Sequence, residues 1–352
     1  MRIGVPRETK QGERRVALLP RDLSALASGG HPVHVETNAG AGVGVSDDEY
    51  ARAGAQLATT DEAWECELVV KVKEMLDWDL AHARHGQAIF AFQQLPGAPA
   101  RVRALAERGV TAIAYELVRD AAGRFPLLDP MSVISGRLAV AAVWRFLPAS
   151  QARVVVIGAG NAGMSAARTA RERGAHVTVL TRSEASRDAA RASAFEANLA
   201  SAPQIERAVL EADLVVGAVL RHGEPTPKLL PRSLVRRMKR GSAIADICID
   251  GGGIAETSRP TTHADPTYVE EGVVHYAIPN IPGADPVAAT SALSQAVRPF
   301  VERLASQGLA AAMRADQGLR AGLYLWKGRV VHRGIAQEAG LPYTSLSEEE
   351  FS

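Results

Sequence analysis

Aromatic residues are scarce, at 5% of the chain, and only two cysteines are present, Cys66 and Cys248, far apart in sequence. So few cysteines exclude a disulfide-stapled scaffold and suit a reducing compartment. The shortage of rings leaves the core to Ala, Val, Leu and Ile. Neither charge sign dominates: 40 Lys and Arg face 39 Asp and Glu, a formal net charge of +1. That balance gives no electrostatic reason for a nucleic-acid or membrane partner. The longest apolar run, residues 138–144, is far shorter than the ~20 residues that span a bilayer. The opening residues, Met1 to Pro6, lack the apolar stretch of a secretory signal. A cytoplasmic protein is expected. What is present is an ordinary globular composition, 47% hydrophobic and 22% charged over 352 residues, enough for about two domains.

Apolar runs alternate with helix-period segments. Strands are expected at 2–5, 33–36, 67–72, 88–92 and 110–116, with helices at 20–28, 47–54 and 100–109. An Ala/Val/Leu helix at 135–147 leads into a second unit, with strands at 153–157, 176–180, 214–218, 243–249 and 274–278 and a helix at 164–173. A second Ala-rich helix at 290–312 crosses back, so that the tail from 318 packs on the first unit. The expected fold is α/β: two Rossmann-like domains with parallel sheets, joined by two long helices, with a cleft between them. The first domain comprises 1–131 and 300–352, and the second comprises 132–299.

The second unit opens with Val154-Val-Val-Ile157 followed by Gly158, Ala159, Gly160, Asn161, Ala162 and Gly163, a G-x-G-x-x-G set between a strand and a helix. In that frame Gly158 permits the tight turn, Gly160 lets a pyrophosphate approach the backbone, and Gly163 lets helix and strand pack closely. The phosphates would sit on the helix N-terminus, where unpaired N–H groups favour anions. Asn161 and Ala162 in the turn, and Val219 and Leu220 past the strand at 214–218, join the cofactor-binding set. The alternative is a tight turn with no ligand. An NAD site usually carries a carboxylate at the tip of the next strand, for the ribose 2′-hydroxyl. Here that tip reads Thr181, Arg182, Ser183, with Glu184 only later. A guanidinium between two hydroxyls suits a 2′-phosphate. NADP(H) is therefore expected, with NAD(H) held through the hydroxyls as the alternative. No metal is assigned.

Several stretches, in order along the chain, resemble the alanine dehydrogenase and transhydrogenase-subunit family. They are Gly4 to Lys10 with Arg15-Val-Ala17, Lys71-Val-Lys73-Glu74, Ala114-Tyr-Glu116, Pro130-Met-Ser132 with Ser135-Gly-Arg137, Gly158 to Gly163, Pro227-Lys-Leu229, and Asp246 to Gly251. The resemblance implies that Arg15 and Lys73 hold a substrate carboxylate, with Lys73 also near the reacting carbonyl. It implies that Asp250 acts as a catalytic acid, and that Ser132 and Asn280 lie near the cofactor. A 2-oxo acid needs such a planar cation and a second donor. The first domain would then be the substrate and catalytic domain, and the second the dinucleotide-binding domain.

Three departures from the family stand at functional positions. The family's catalytic His position holds Gln94, within Phe92-Gln93-Gln94-Leu95. A carboxamide donates a hydrogen bond but cannot titrate, and acid–base catalysis of this kind is worth ~10²–10⁴-fold. A glycine-rich insertion before the strand at 153 is missing, which favours a dimer over a hexamer. The ribose carboxylate is missing too. The expected activity is NAD(P)H-dependent reduction of an imine formed from a 2-oxo acid, by reductive amination or by opine-like condensation with an amino acid. The N-carboxyethyl-ornithine synthases of the same superfamily do the latter with NADPH. An ordinary alanine dehydrogenase is not expected. The alternative is a catalytically impaired dinucleotide-binding homologue acting as a sensor or interaction protein.

Overall fold

The computed structural model describes residues 1–148, 151–219 and 225–351. The chain divides into two compact units, one of Met1–Pro130 with Pro286–Ser352 and one of Met131–Asp285.

The first unit is built on an eight-stranded sheet. Its order is Arg329–Val330, Leu323–Trp326, Thr111–Ala114, Ala88–Ala91, Leu68–Val70, Ile3–Val5, Val33–Glu36, Gln56–Ala58. The six strands between Ile3 and Ala114 are parallel to their neighbours, and the two late strands add antiparallel. Parallel strands are covered on both faces and so read as continuous apolar runs. Every residue of Ile3–Val5, Leu68–Val70, Ala88–Ala91 and Thr111–Ala114 is buried. Serine and threonine capping boxes with Glu49 and Glu62 start the helices Asp47–Arg52 and Thr60–Trp64.

The long helix Pro286–Gln307 belongs to this first unit. Two of its hydroxyls, one turn apart, reach a loop near the N-terminus. Thr290 accepts from the Val16 N–H at 3.3 Å, and Ser294 accepts from the Leu19 N–H at 2.8 Å while donating to Asp22 at 2.5 Å. The Tyr50 hydroxyl donates to the Leu18 carbonyl at 2.8 Å. The segment that follows Arg15 is therefore pinned at three points, Val16, Leu18 and Leu19.

In the second unit the sheet runs Thr267–Glu270, Val273–Tyr276, Ala243–Asp246, Leu214–Gly217, Arg153–Ile157, His176–Thr181, Glu196–Leu199. Leaving aside the antiparallel edge strand Thr267–Glu270, the six parallel strands have the order of a doubly wound dinucleotide-binding fold, its first strand central. The helix Asn161–Glu172 follows the first strand. Within Asp129–Val143, Gly136 lies so close to it that a Cβ there would stand 2.1 Å from the Ala162 carbonyl oxygen. The Ser165 hydroxyl donates to the Val133 carbonyl at 2.6 Å across the same contact.

The structure corrects several details. The helix expected at 290–312 is two helices, Pro286–Gln307 and Leu309–Ala315, because Gly308 between them takes a φ of +80°. The helix expected at 135–147 begins at Asp129 and ends at Val143 in a 3-10 turn, Trp144–Phe146. The helix expected at 164–173 starts at Asn161, directly after Gly160. The sheets are mostly rather than wholly parallel. Among the described residues, no helix is long and apolar enough to cross a membrane.

Removing the Ser294 hydroxyl leaves a buried N–H and a buried carboxylate without their shared partner. Ser294→Ala is expected to lower stability in urea unfolding by about 1–3 kcal/mol. Ser306→Ala, on the exposed end of the same helix, loses only bonds to helix carbonyls and stays within about 0.5 kcal/mol. Equal losses in the two variants would contradict the anchoring role.

Candidate active site

In the first unit, the C-terminal ends of four adjacent parallel strands are each followed by a segment with polar or charged residues. Ile3–Val5 leads to Glu8 and the loop to Arg15. Leu68–Val70 leads to Lys71 and Lys73, Ala88–Ala91 to Gln93 and Gln94, and Thr111–Ala114 to Tyr115 and Glu116. Ligands of open α/β sheets bind at such strand ends.

Arg15 and Lys73 are both buried there. Glu13 grips the Arg15 guanidinium as a fork, Nε to Oε1 at 2.8 Å and Nη2 to Oε2 at 2.6 Å, with the side chains only 1% and 0% exposed. Such a fork fixes the guanidinium plane. Lys73 is 5% exposed, and its nearest anion, Glu74 Oε2, stands 3.7 Å away. The other Glu74 oxygen is taken by Lys10 at 2.5 Å. Burial lowers the Lys73 pKa, Glu74 opposes this, and the cations Lys10 and Arg15 lower it further. Lys73 is thus a buried cation with incomplete compensation, which an anionic ligand would relieve.

Lys71 and Glu8 form a second layer beneath these residues. The Lys71 Nζ lies 3.5 Å from Glu8 and 3.4 Å from Asp79, all three buried, and 5.7 Å from the centre of the Trp64 ring. Burial alone would lower the Lys71 pKa, but the two carboxylates outweigh it and the pKa is raised. Glu8 accepts from the Val72 N–H at 2.6 Å and the Lys73 N–H at 3.3 Å, and so holds the backbone that carries Lys73. Burial raises its pKa against the pull of Lys71. One strand further on, Glu116 accepts from the Gln94 N–H at 2.8 Å and the Gln93 N–H at 3.2 Å. Gln94 is exposed, with a left-handed φ of +45°.

The second unit presents the dinucleotide turn. A Cβ on Gly158, whose φ is +110°, would stand 2.2 Å from the Ala218 carbonyl oxygen, and one on Gly163 only 1.9 Å from the Gly158 carbonyl oxygen. Both positions demand glycine for packing. Gly160 differs: its Cβ would meet no atom of the described residues within 4 Å, and the residue is exposed. Gly160 is the N-cap of Asn161–Glu172 and makes no side-chain cap bond, and Asn161 and Ala162 form the first helical positions. These residues fit the pyrophosphate of a nicotinamide dinucleotide.

Apart from Ser132, the remaining candidates lie at or past the C-terminal ends of strands of this sheet. Thr181 is the buried last residue of its strand, and Arg182 and Ser183 are exposed. The Ser183 hydroxyl caps the helix Glu184–Ala192, accepting from Ser186 N–H at 3.2 Å and donating to the Ser186 hydroxyl at 2.8 Å. It is therefore a cap as well as a cofactor candidate. Val219 follows Leu214–Gly217 and donates its N–H to the buried Cys248 sulfur at 2.9 Å; Leu220 lies outside the described residues. Asp250 is exposed in the 3-10 turn Ile249–Gly251. Asp246 anchors that loop, accepting from Cys248 N–H, Ile254 N–H and the Ser258 hydroxyl at 3.1, 2.8 and 2.6 Å. Asn280 takes a left-handed φ of +64° at the start of Ile281–Ala284, and Ser132 is half-buried in Asp129–Val143. No cluster of three His, Cys, Asp or Glu suited to a metal ion occurs among the described residues.

The sequence reading assigned no role to Glu8, Glu13, Asp79 or Glu116. Glu8 and Glu116 stand inside stretches already singled out, and a carboxylate just past a buried strand is the signal that could have found them.

Gly160→Ala separates cofactor binding from folding. The added methyl meets no protein atom, so the melting transition should be unchanged, while affinity for NADH or NADPH by fluorescence titration falls about tenfold or more, a loss of about 1.4 kcal/mol. Unchanged affinity would contradict the pyrophosphate assignment.

The family description "Alanine dehydrogenase/PNT, N-terminal domain" matches residues 4–135, and "Alanine dehydrogenase/PNT, C-terminal domain" matches residues 141–333. The chain is 39% identical over 368 aligned positions to an alanine dehydrogenase of Staphylococcus haemolyticus and 41% identical over 367 to one of Halomonas elongata, each alignment covering 99% of both chains. It is 40% identical to an alanine dehydrogenase of Mycobacterium tuberculosis over 98% of both. The alignments are longer than the 352-residue chain, so these relatives hold residues that it lacks. A solved L-alanine dehydrogenase superposes with a TM-score of 0.91 at 40% identity, covering 96% of this chain and 98% of the other. A transhydrogenase from Sinorhizobium meliloti shares the fold, with a TM-score of 0.83 at 24% identity, covering 94% of this chain and 99% of the other. With both halves matched and full-length relatives near 40% identity, the chain belongs to the alanine dehydrogenase/PNT family and is an oxidoreductase of the pyridine-nucleotide class.

Proposed function

We propose that this enzyme reduces the imine formed from a 2-oxo acid and an amine, and that NADP(H) is its preferred cofactor. The observation that carries the substrate reading is the pair of buried cations, Arg15 in the loop after Ile3–Val5 and Lys73 just past the neighbouring strand Leu68–Val70, close enough that Arg15 lowers the Lys73 pKa. Glu13 holds the Arg15 guanidinium in one orientation for the substrate carboxylate. Lys73 gains a counter-charge when that carboxylate arrives. The relatives named alanine dehydrogenase make pyruvate with ammonia the first pair to test.

When bound, the nicotinamide supplies a hydride to the imine carbon. The amine nitrogen that results takes up a proton, and Asp250 is the group proposed to handle it. Gln94 stands where the family resemblance places a titrating His. Its carboxamide can orient the substrate by a hydrogen bond but exchanges no proton at neutral pH. A protonated imine already carries positive charge and needs less acid assistance than a ketone, so its reduction tolerates a group that cannot titrate.

Two features support the NADP(H) reading. No carboxylate stands at the tip of His176–Thr181, and Arg182 is exposed there, paired with no carboxylate among the described residues. Ser132, Val219 and Asn280 complete the proposed cofactor contacts. The residues absent relative to the relatives support a smaller assembly, a dimer.

One screen tests both halves of the proposal. 2-Oxo acids are mixed with ammonia or with amino acids, and oxidation of NADPH and NADH is followed by absorbance for the native chain and Arg182→Ala. Turnover with an added amine, and a loss in Arg182→Ala about tenfold larger for NADPH than for NADH, is the expected result. No turnover across the panel with cofactor binding intact would overturn the enzymatic reading in favour of a sensor. Equal losses for the two cofactors would overturn the 2′-phosphate assignment.

A further inference from the structure

We propose that Glu116 is the positioning residue that fixes Gln94 toward the substrate. This rests on the reading of Gln94 as a substrate-orienting group. Gln94 takes a φ of +45°, a conformation that side chains other than glycine rarely adopt. Such a backbone persists only where its surroundings over-determine it, and the deviation often serves function. Here the surroundings are specific. Both oxygens of one carboxylate accept the two successive N–H groups, Gln94 on Oε1 and Gln93 on Oε2. Gln93 turns inward, buried, and its Nε2 donates to the carbonyls of Ile89 at 2.9 Å and Ile113 at 3.4 Å. With one glutamine locked into the core, the next is forced outward.

A carboxylate is needed for this fork. Glutamine in its place would offer one acceptor and turn an NH₂ toward the second N–H. The charge also matters. Burial raises the Glu116 pKa, but the backbone N–H groups lower it, and so does Lys73, whose cation the carboxylate therefore feels. One side chain is thus coupled to two of the residues proposed to meet the substrate, Gln94 and Lys73. The arrangement recurs one strand away, where Glu8 forks over the Val72 and Lys73 amides. Two carboxylates, each straddling the two amides just past a buried strand, argue for a way of aiming strand-end side chains rather than for a single accident of packing.

The test uses the full chain with its cofactor. In Glu116→Gln, kcat for reduction of the active 2-oxo acid is expected to fall about tenfold, with the KM for the nicotinamide unchanged. In a Gln94→Ala background the same change should cause no further fall, because the group that it aims is gone. Multiplying losses, or equal damage to the KM for the nicotinamide, would show a merely structural role and overturn the inference. Glu116→Asp keeps both acceptors on a shorter stem and should fall between the native chain and Glu116→Gln, which keeps the test open if the glutamine variant fails to fold. Hydrogen exchange gives a readout free of turnover. The amides of Gln93 and Gln94 should exchange about tenfold faster in Glu116→Gln, while those of Ala88–Ala91 stay protected. Unchanged exchange overturns the clamp. Faster exchange in a chain that reduces no 2-oxo acid would leave the clamp standing and remove only the reading of Gln94.

Discussion

A cation buried at the end of a parallel sheet survives only where anions surround it. Taking an ammonium or guanidinium out of water costs several kcal/mol even after the protein relaxes, and the first unit buries Arg15, Lys71 and Lys73 together. Each is met differently. Arg15 has a two-pronged partner in Glu13, and Lys71 lies between Glu8 and Asp79. Lys73 shares Glu74 with Lys10. The first fixes the plane of the guanidinium, and the second sets a buried lysine between two carboxylates. The third is left short of negative charge, and that shortfall is the physical basis for expecting an acid substrate.

The second unit solves a different problem, the approach of a phosphate to the backbone. Gly158 and Gly163 are demanded by the protein itself, because a methyl at either would run into a carbonyl oxygen. At Gly160 a Cβ would meet no atom of the described residues within 4 Å, so packing among them does not require a glycine there. Asp246 is the organiser of the next loop: buried and triply hydrogen-bonded, it lets the glycines that follow turn back and leaves Asp250 exposed. In both units, hydrogen bonds to a carboxylate fix the backbone while a neighbouring side chain, Gln94 or Asp250, stays exposed.

Much of this was legible beforehand because the central strands are continuous apolar runs and the turn glycines have fixed spacing. Val33–Glu36 and Arg153–Ile157 fall where periodicity places them. The edge strands Gln56–Ala58, Glu196–Leu199 and Thr267–Glu270 were not read, since an edge strand is short and half solvated and leaves a weak pattern. The late pair Leu323–Trp326 and Arg329–Val330 escaped for another reason: its partner, Thr111–Ala114, is far away in sequence. At the site, Arg15, Lys73 and Gln94 were found through resemblance, but their supports were not. Glu8, Glu13 and Glu116 act by hydrogen bonds to backbone or to a neighbour's side chain, and no periodicity records such bonds.

The central claim is that the Lys73 charge grips a 2-oxo acid carboxylate. The most direct measurement is calorimetric titration of oxamate, a 2-oxo acid analogue that is not reduced, onto the native chain and Lys73→Met, each saturated with reduced nicotinamide cofactor. The account predicts that the methionine variant, similar in length but uncharged, binds oxamate about tenfold or more weakly while holding the cofactor as before. Equal oxamate affinity in the two proteins would contradict it.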